Sequence, residues 1–485
     1  MPEVSENGGE KLSFRGNGII LVELAFIAMM VMFIEIMLVP ALPKIAMEYP
    51  ADARWVSWVL SAYMLVGAVA TPLLGRLGDM YGKKRILLAA MVVYIAGLVG
   101  CSVSWSIPSL IAFRAVQGVG MGMFPLAFGI VRDTFPKKLI PVAIGIISAM
   151  FSIGVSVGLL GGGYIVSAFS WRDAFYIVVP LFVVMFFVLL KTIRGDNPNR
   201  RAHLDIAGAA MLGGGIMFLL LALTQGEDWG WASAGIVGMF ALSAVLCIGF
   251  VVWERRVDEP IVNLKLMANK GIFGANVTAL FMGLSMFLLF QTMPFFLMSP
   301  REVGGLALVD AFDVGIYMFP SAIGQLIFAP IAGLLTKKIG SDRTLAIGMA
   351  VLVFGYASLI AFHSNAMEIM VGIFVSGVGL GFGMVSLVNI IAMSAPKEEF
   401  GIATGMNTLF RVVGGSIGPV LGSVVMAQYV TTWLPPGAPA GMPGIELTTE
   451  TGYFWAWGIG AVFAAVSLCL ALAFRPGKGA GSEDD

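Results

Sequence analysis

Charge is scarce in this chain. Asp, Glu, Lys and Arg make up 12% of its 485 residues, about half the share of a soluble domain. There is little polar surface to solvate a water-soluble fold of this length, which makes that architecture a poor reading of the chain as a whole. Cysteine is almost missing. Cys101, Cys247 and Cys469 all lie in apolar runs, without metal-like spacing or a disulfide framework, and read as small packing residues. The two histidines, His203 and His363, form no metal pair. No GxxxxGK[ST] segment occurs, which disfavours an ATP-driven pump. No run of Asp, Glu and His suggests hydrolysis. The expectation is a protein that is not an enzyme, with no cofactor and no metal. The first 17 residues are polar and lack a basic region before a small-residue cleavage site, so no removable signal peptide is expected.

What the chain has is apolar length. Hydrophobic residues make up 58% of it, the mean hydropathy is +0.92, and the excess falls in runs of roughly 20 residues, enough to cross a bilayer. Fourteen spans are read at 18–40, 55–74, 86–104, 108–131, 140–165, 174–191, 204–224, 231–253, 272–298, 311–334, 344–363, 366–391, 401–430 and 452–474. Runs this long and continuously apolar do not alternate like barrel strands, so the spans are helices. With loops assigned alternately to two sides, 23 Lys and Arg fall on one side and four (Lys44, Arg54, Arg172, Arg301) on the other. Arg114 and Arg411 lie inside spans. The excess of basic residues on the inner side predicts that both termini and the basic stretch 191–205 are cytoplasmic. The Pro/Gly-rich stretch 431–451 is then an outside loop.

The segment GRLGDMYGKKR, Gly75–Arg85, is echoed by GLLTKKIGSDR, Gly333–Arg343. GVGMG at 118–122 is echoed by GVGLG at 377–381, and GVSVGLLGG at 154–162 by GGSIGPVLG at 414–422. The offsets are 258, 259 and 260. Single glycine clusters are ordinary in packed membrane helices, but a near-constant offset over three features points to a duplication. Spans 1–6 and 9–14 read as related halves, with spans 7 and 8 inserted between them. The expected organisation is a tail at 1–17, a six-helix bundle at 18–193, inserted helices at 194–258, a second six-helix bundle at 259–474 and a tail at 475–485. Both tails are expected to be cytoplasmic.

These motifs resemble those of the major facilitator superfamily, specifically its 14-span drug:proton antiporter branch. Gly75, Asp79, Gly82 and Arg85 match the loop between spans 2 and 3. Arg114, Gln117, Gly118 and Gly120 match the span-4 motif. Gly154, Gly158, Gly161 and Gly162 match the span-5 antiporter motif GxxxGPxxGG, although Leu159 stands where Pro is usual. WRDAF at 171–175 resembles the segment opening span 6. FIEIMLVPALP at 33–43 resembles the first-span motif, with Glu in place of the commoner Asp. The resemblance implies an all-α membrane protein with two pseudo-symmetric bundles and two extra helices. It implies proton-coupled export of hydrophobic, often cationic, compounds by alternating access, as in multidrug efflux. Asp79 takes the place of an acid that locks the bundles by charge.

Glu35 lies late in span 1. A mid-membrane charge costs roughly 2.5–3.5 kcal/mol and marks an ion pathway unless it reaches the headgroups. Glu23, one turn inside the edge, is expected to snorkel. Arg114 has no acid within four residues, so a partner must come from another helix. It is an interhelical tie, part of proton movement, which the resemblance implies, or both. Asp310 and Asp313 share a helix face; Asp310 reads as a solvated cap and Asp313 as a second proton site or a cap. Asn407 and Arg411, four apart, point the same way and read equally as structural or binding. Tyr63, Gln291 and Asn389, like Gln325 and Asn276, are isolated polar residues that line a cavity or bond between helices. With Gln117, Glu35, Asn407 and Arg411 they make up the candidate substrate cavity. Expected partners are small hydrophobic or cationic substrates, protons and the lipid bilayer, with no nucleic acid. The expected state is a monomer in the plasma membrane. A carrier of a lipid, peptide or siderophore on the same fold is the alternative. A channel or a non-transporting receptor fits less well, because the halves are duplicated glycine-rich bundles and the loops are short.

Overall fold

The computed structural model describes residues 18–49, 52–136, 139–193, 205–257, 260–396, 399–434 and 444–474. The expected tails, most of the basic stretch 191–205 and residues 435–443 lie outside these.

The chain folds as helices because each apolar run must satisfy its own backbone inside hydrocarbon. The first run is α1, a helix at Gly18–Ile36 continued by a 3-10 turn at Val39–Ala41 and a short helix at Leu42–Glu48. Then follow α2 (Ala53–Tyr81), α3 (Lys83–Ser102) and α4 (Ile107–Thr134). Next is α5, made of Ile140–Val157, a π-turn at Gly158–Gly162 and Gly163–Ala168. The first half ends with α6 (Trp171–Thr192). After it come α7 (Ile206–Trp229), α8 (Ala234–Glu254), α9 (Lys270–Met298), α10 (Ala311–Ile339), α11 (Ser341–Ala361), α12 (Ala366–Ser394), α13 (Phe400–Ala427) and α14 (Glu450–Ala473). Thirteen of these are long and apolar enough to cross a membrane among the described residues; α5 completes the fourteen.

Some boundaries differ from those read off the sequence. The first span, expected as one helix to 40, is interrupted after Ile36, where Pro40 and Pro43 remove two donors from the helical ladder. The GRLGDMY stretch is helix rather than turn. Only Gly82, at φ 100°, reverses the chain, and Gly340, at φ 93°, does so in the echo. That backbone region favours glycine. The outside stretch is not only loop: Val430–Trp433 pairs antiparallel with Ile445–Thr448, Val430 opposite Thr448. Its β-branched ends form strands on either side of the Pro/Gly-rich centre. The missing Pro of span 5 is replaced by the π-turn Gly158–Gly162, whereas Pro419 sits inside the unbroken helix α13.

The duplication is present in three dimensions. A β-carbon added at Gly154, Gly158 or Gly162 would press on α1 at Met29, Phe33 and Met37. One added at Gly414, Gly418 or Gly422 would press on α9 at Leu280, Leu284 and Leu288. The glycines are shifted by 260 and their partners by 251, so each ladder packs the fifth helix of its half on the first. Gly118 meets the Tyr63 carbonyl as Gly377 meets that of Ser321.

Two seams join the halves, α2 against α13 and α5 against α10, and α7 lies along the first seam. Cross-seam contacts gather at the end away from the basic turns. Lys44 Nζ reaches Asp310 Oδ1 at 3.4 Å, and Ser167 Oγ accepts from the Phe312 amide at 2.9 Å. Trp58, Ala62 and Leu65 of α2 pack with Val420 and Val424 of α13 and with Ile216 and Leu220 of α7. Arg54 pairs with Glu227 and Asp228 at the end of α7, and Gln428, just past α13, donates to the same Glu227 oxygen at 3.0 Å. At the basic end a β-carbon on Gly75 would meet only Pro125, and one on Gly333 only Val385, each in its own half. Among the described residues the halves are drawn together at the end away from the basic turns, the closed end.

Candidate functional site in the seam between the halves

The span-4 glycines bring Arg114 to α2. At Gly118–Gly122 the helix tightens into a 3-10 segment. A β-carbon on Gly118 would lie 2.4 Å from the Tyr63 carbonyl, and one on Gly120 2.4 Å from the Tyr94 ring. This approach buries Arg114 completely. Its Nε donates to the Val59 carbonyl at 2.9 Å, its Nη1 donates to Gln117 Oε1 at 2.8 Å, and its guanidinium lies 4.4 Å from the centre of the Tyr63 ring. A cation over an aromatic face is held by the ring's quadrupole. Nη2 of Arg114 and Nε2 of Gln117 are buried without a hydrogen bond among the described residues, and the buried hydroxyls of Tyr63 and Tyr94 have no partner except each other.

Glu35 sits in the last turn of the first α1 segment, 4% exposed. Its Oε2 is buried and unpartnered. The arginines that act electrostatically on it are Arg411, from α13 in the other half, and Arg114. Neither comes within 4.0 Å as a direct ion pair among the described residues. Arg411 is half-buried and makes no hydrogen bond among them. One turn on, Gly415 meets Met64 of α2, which places this stretch of α13 at the seam. Glu35, Arg114 and Arg411 thus share one electrostatic neighbourhood that draws on both halves. Glu35, Arg114 and Tyr63, together with Gln117, are the expected residues that the structure gathers most closely, and Arg411 joins them from across the seam.

Other candidates sit elsewhere. Asn407 donates to the Ala275 carbonyl at 3.0 Å and to Asn276 Oδ1 at 3.2 Å, which makes it a tie between α13 and α9. Gln291, on α9, is fully buried with both ends of its amide unpartnered. Asn389 is half-buried in the last third of α12. Asp313 occupies the first turn of α10 at the closed end, away from Glu35, and Asp310 faces Lys44 there. Glu23 does not snorkel freely: it is 4% exposed and accepts from Thr192 Oγ1 at 2.7 Å. Asp79 pairs with Lys83 at 3.6 Å, and Lys83 with Asp133 at 2.5 Å, all within the first half; among the described residues Asp79 makes no link to the other half. Arg85 is exposed. Gly161 has room for a side chain, unlike Gly154 and Gly162. The WRDAF segment braces the closed end. Trp171 Nε1 donates to Glu48 at 2.6 Å, and Arg172 binds Glu48, Tyr49 and the Ser104 carbonyl.

Sequence reading missed Tyr94 and the Arg54–Glu227–Gln428 cluster. Arg54 carried a signal, as one of only four basic residues assigned to the poorly charged side. Tyr94 carried none.

The Major Facilitator Superfamily model matches residues 24–324 and 277–484. The chain belongs to this superfamily. It is a multi-pass membrane transporter and not an enzyme. It is 30% identical to the multidrug transporter protein MdtP of Bacillus subtilis (strain 168), over 80% of this chain and 71% of that protein. It is 29% identical to the tetracenomycin C resistance and export protein of Streptomyces glaucescens, over 91% and 80% of the respective chains. Among solved structures the fold matches a bacterial homologue of the human lysosomal transporter Spinster, in an inward-facing and unoccupied conformation. That match has TM-score 0.63 at 14% identity and covers 97% of this chain and 98% of that one. The nucleoside transporter NupG matches with TM-score 0.60, also at 14% identity, over 94% and 98%. In this major facilitator transporter Glu35 and Arg114 come from the first six-helix half and Arg411 from the second.

Proposed function

We propose that the protein exports small hydrophobic compounds in exchange for protons, by alternating access between its two halves. The observation that carries this reading is Glu35: a buried carboxyl with an unpartnered oxygen, facing an arginine from each half. The named relatives, a multidrug transporter and a resistance exporter, support export. The basic end is taken as cytoplasmic, with both termini there, on the 23-to-4 distribution of Lys and Arg. The bundles at 18–193 and 259–474, with the insert at 194–258, are the units that rock, and the carrier works as a monomer.

A compound entering from the basic end finds ionised Glu35 as an acceptor. Once the halves have rocked, a proton from outside occupies the same carboxylate and withdraws that acceptor. Proton and cargo exclude each other at one group, which couples the two flows. Arg114, which stays protonated, is fixed by Val59, Gln117 and Tyr63 and keeps the local charge constant while Glu35 changes. The test is proton release from the purified protein in detergent when compounds are added, for wild type and Glu35→Gln. Release should occur in the wild type and vanish in the variant. If Glu35→Gln releases as many protons per bound compound as the wild type, Glu35 is not the coupling group.

A further inference from the structure

The charges around Glu35 do not balance. The titratable and charged groups that face it are Arg411, Arg114, Tyr63 and Tyr94. With Glu35 ionised the cluster carries one net positive charge, and with Glu35 protonated, two. Among the described residues no further acid joins it. Asp313 is in the first turn of α10 at the closed end, Glu23 is bound to Thr192 near the opposite end of α1, and Asp79 is paired with Lys83. A permanently cationic compound entering here meets two guanidinium groups and one carboxylate.

Arg411 differs from Arg114 in what it has left to give. Arg114 spends two of its nitrogens on Val59 and Gln117 and stacks on Tyr63. Arg411 makes no hydrogen bond and no ion pair among the described residues, although it is half-buried in the middle of a membrane helix. Such a group is costly to keep and marks a site. Arg411 lies one turn before Gly415, which meets Met64 of α2 next to the Tyr63 on which Arg114 stacks, and it acts on Glu35 electrostatically without a direct ion pair among the described residues. Gln291 adds a fully buried amide on α9, the helix that α13 packs on, with both ends unsatisfied.

From this we infer that Arg411 sets the charge preference of the transporter, and that its preferred cargo is an electrically neutral, apolar compound carrying a hydrogen-bond donor and an acceptor, such as a phenol and a ketone. The donor goes to ionised Glu35 and the acceptor to Arg411, whose planar fork suits a carbonyl oxygen. This rests on the reading of Glu35 as the coupling carboxyl, and it keeps the antiport sign correct. Protonated Glu35 no longer accepts the cargo's donor, so proton and cargo still compete. An anionic cargo fails on sign, because an anion on Arg411 favours the protonated form of Glu35 instead of expelling the proton. The cationic cargo implied by resemblance gives way to the charge the site carries.

The test uses four probes with the full-length protein in detergent, followed by quenching of tryptophan fluorescence. Tetraphenylphosphonium and tetraphenylborate have matched shape and opposite charge; 2-hydroxyanthraquinone and anthraquinone differ by one donor. In the wild type 2-hydroxyanthraquinone should bind roughly tenfold or more tighter than anthraquinone, the size of a charge-assisted hydrogen bond, and tighter than either ion. Arg411→Gln should weaken 2-hydroxyanthraquinone by a similar factor and strengthen tetraphenylphosphonium several-fold. Arg411→Lys keeps the charge without the fork: it should still disfavour the phosphonium while losing part of the affinity for 2-hydroxyanthraquinone. If Arg411→Gln does not yield folded protein, this conservative variant decides. Tighter wild-type binding of tetraphenylphosphonium or of tetraphenylborate than of 2-hydroxyanthraquinone overturns the proposal, as does an unchanged ranking in the Arg411 variants. Proton release by Glu35→Gln is read separately, so a failure here leaves the coupling reading standing and a failure there is recognised as its own.

Discussion

Gly154→Ala and Gly161→Ala add the same methyl group to the same helix and should have opposite outcomes. A β-carbon on Gly154 would sit 2.4 Å from the Met29 carbonyl oxygen of α1 and 2.7 Å from Met32 Cβ. Ordinary contact begins near 3.4 Å, so α5 and α1 must part by about 1 Å, and the obstacle is backbone rather than the end of a flexible side chain. Overpacking of this kind costs about 1–3 kcal/mol. On Gly161 the nearest atom of a neighbouring helix is Phe33 Cε2 at 3.4 Å, which needs no movement. There the higher helix propensity of Ala, up to about 1 kcal/mol, is gained without a clash. Gly158, at 3.0 Å from the Phe33 carbonyl, should fall between. Thermal melting of the purified variants in detergent should therefore rank Gly154→Ala lowest, then Gly158→Ala, with Gly161→Ala at or above wild type. Transport should follow the same order, because α1 carries Glu35 and is positioned by this ladder. Equal melting of Gly154→Ala and Gly161→Ala would refute the close-approach argument for the whole ladder, including its copy at Gly414 and Gly418.

Other expectations concern the two ends of the molecule. Asp79→Asn should slow turnover while leaving cargo affinity nearly unchanged, since Asp79 sits on the Lys83–Asp133 pairs at the basic end, away from Glu35; a large affinity loss at normal turnover, measured by binding and by vesicle uptake, would contradict this. Glu227→Gln should loosen the closed end, because one Glu227 oxygen holds Arg54 of one half and Gln428 of the other. Spin labels at the exposed positions Met47 and Val309, in a cysteine-free background, should then show a larger population at long distance, and an unchanged distribution would count against the clasp. Arg172→Ala should lower the melting temperature, by roughly 1–2 kcal/mol in stability, through loss of its bonds to Glu48, Tyr49 and the Ser104 carbonyl; Arg172→Lys should recover only part, because a lysine lacks the fork that reaches all three.

Much of this protein was legible in its residues alone. Long apolar runs dictate helices because hydrocarbon leaves the backbone no other partner, and the offsets near 259 between glycine clusters announced a duplicated frame before any packing was seen. Close approach of two backbones demands glycine at fixed spacing, so a packing rule is written directly in the sequence, and the ladders Gly154–Gly158–Gly162 and Gly414–Gly418–Gly422 obey it. Single buried charges are visible for the same reason: Glu35, Arg114 and Arg411 interrupt apolar runs at a cost. What the tertiary structure alone decided is which of them meet. The duplication repeats the frame and not the charges. The shift of 251 that relates α1 to α9 places Met286 opposite Glu35, so pseudo-symmetry predicts no partner for it. That Arg411, 376 residues away along the chain, shares an electrostatic neighbourhood with Glu35 while Asn407, four residues before it, is tied to α9 depends on how α13 lies between α9 and α2. Contacts between halves have no local signature, since they depend on the rotation of one packed bundle against the other.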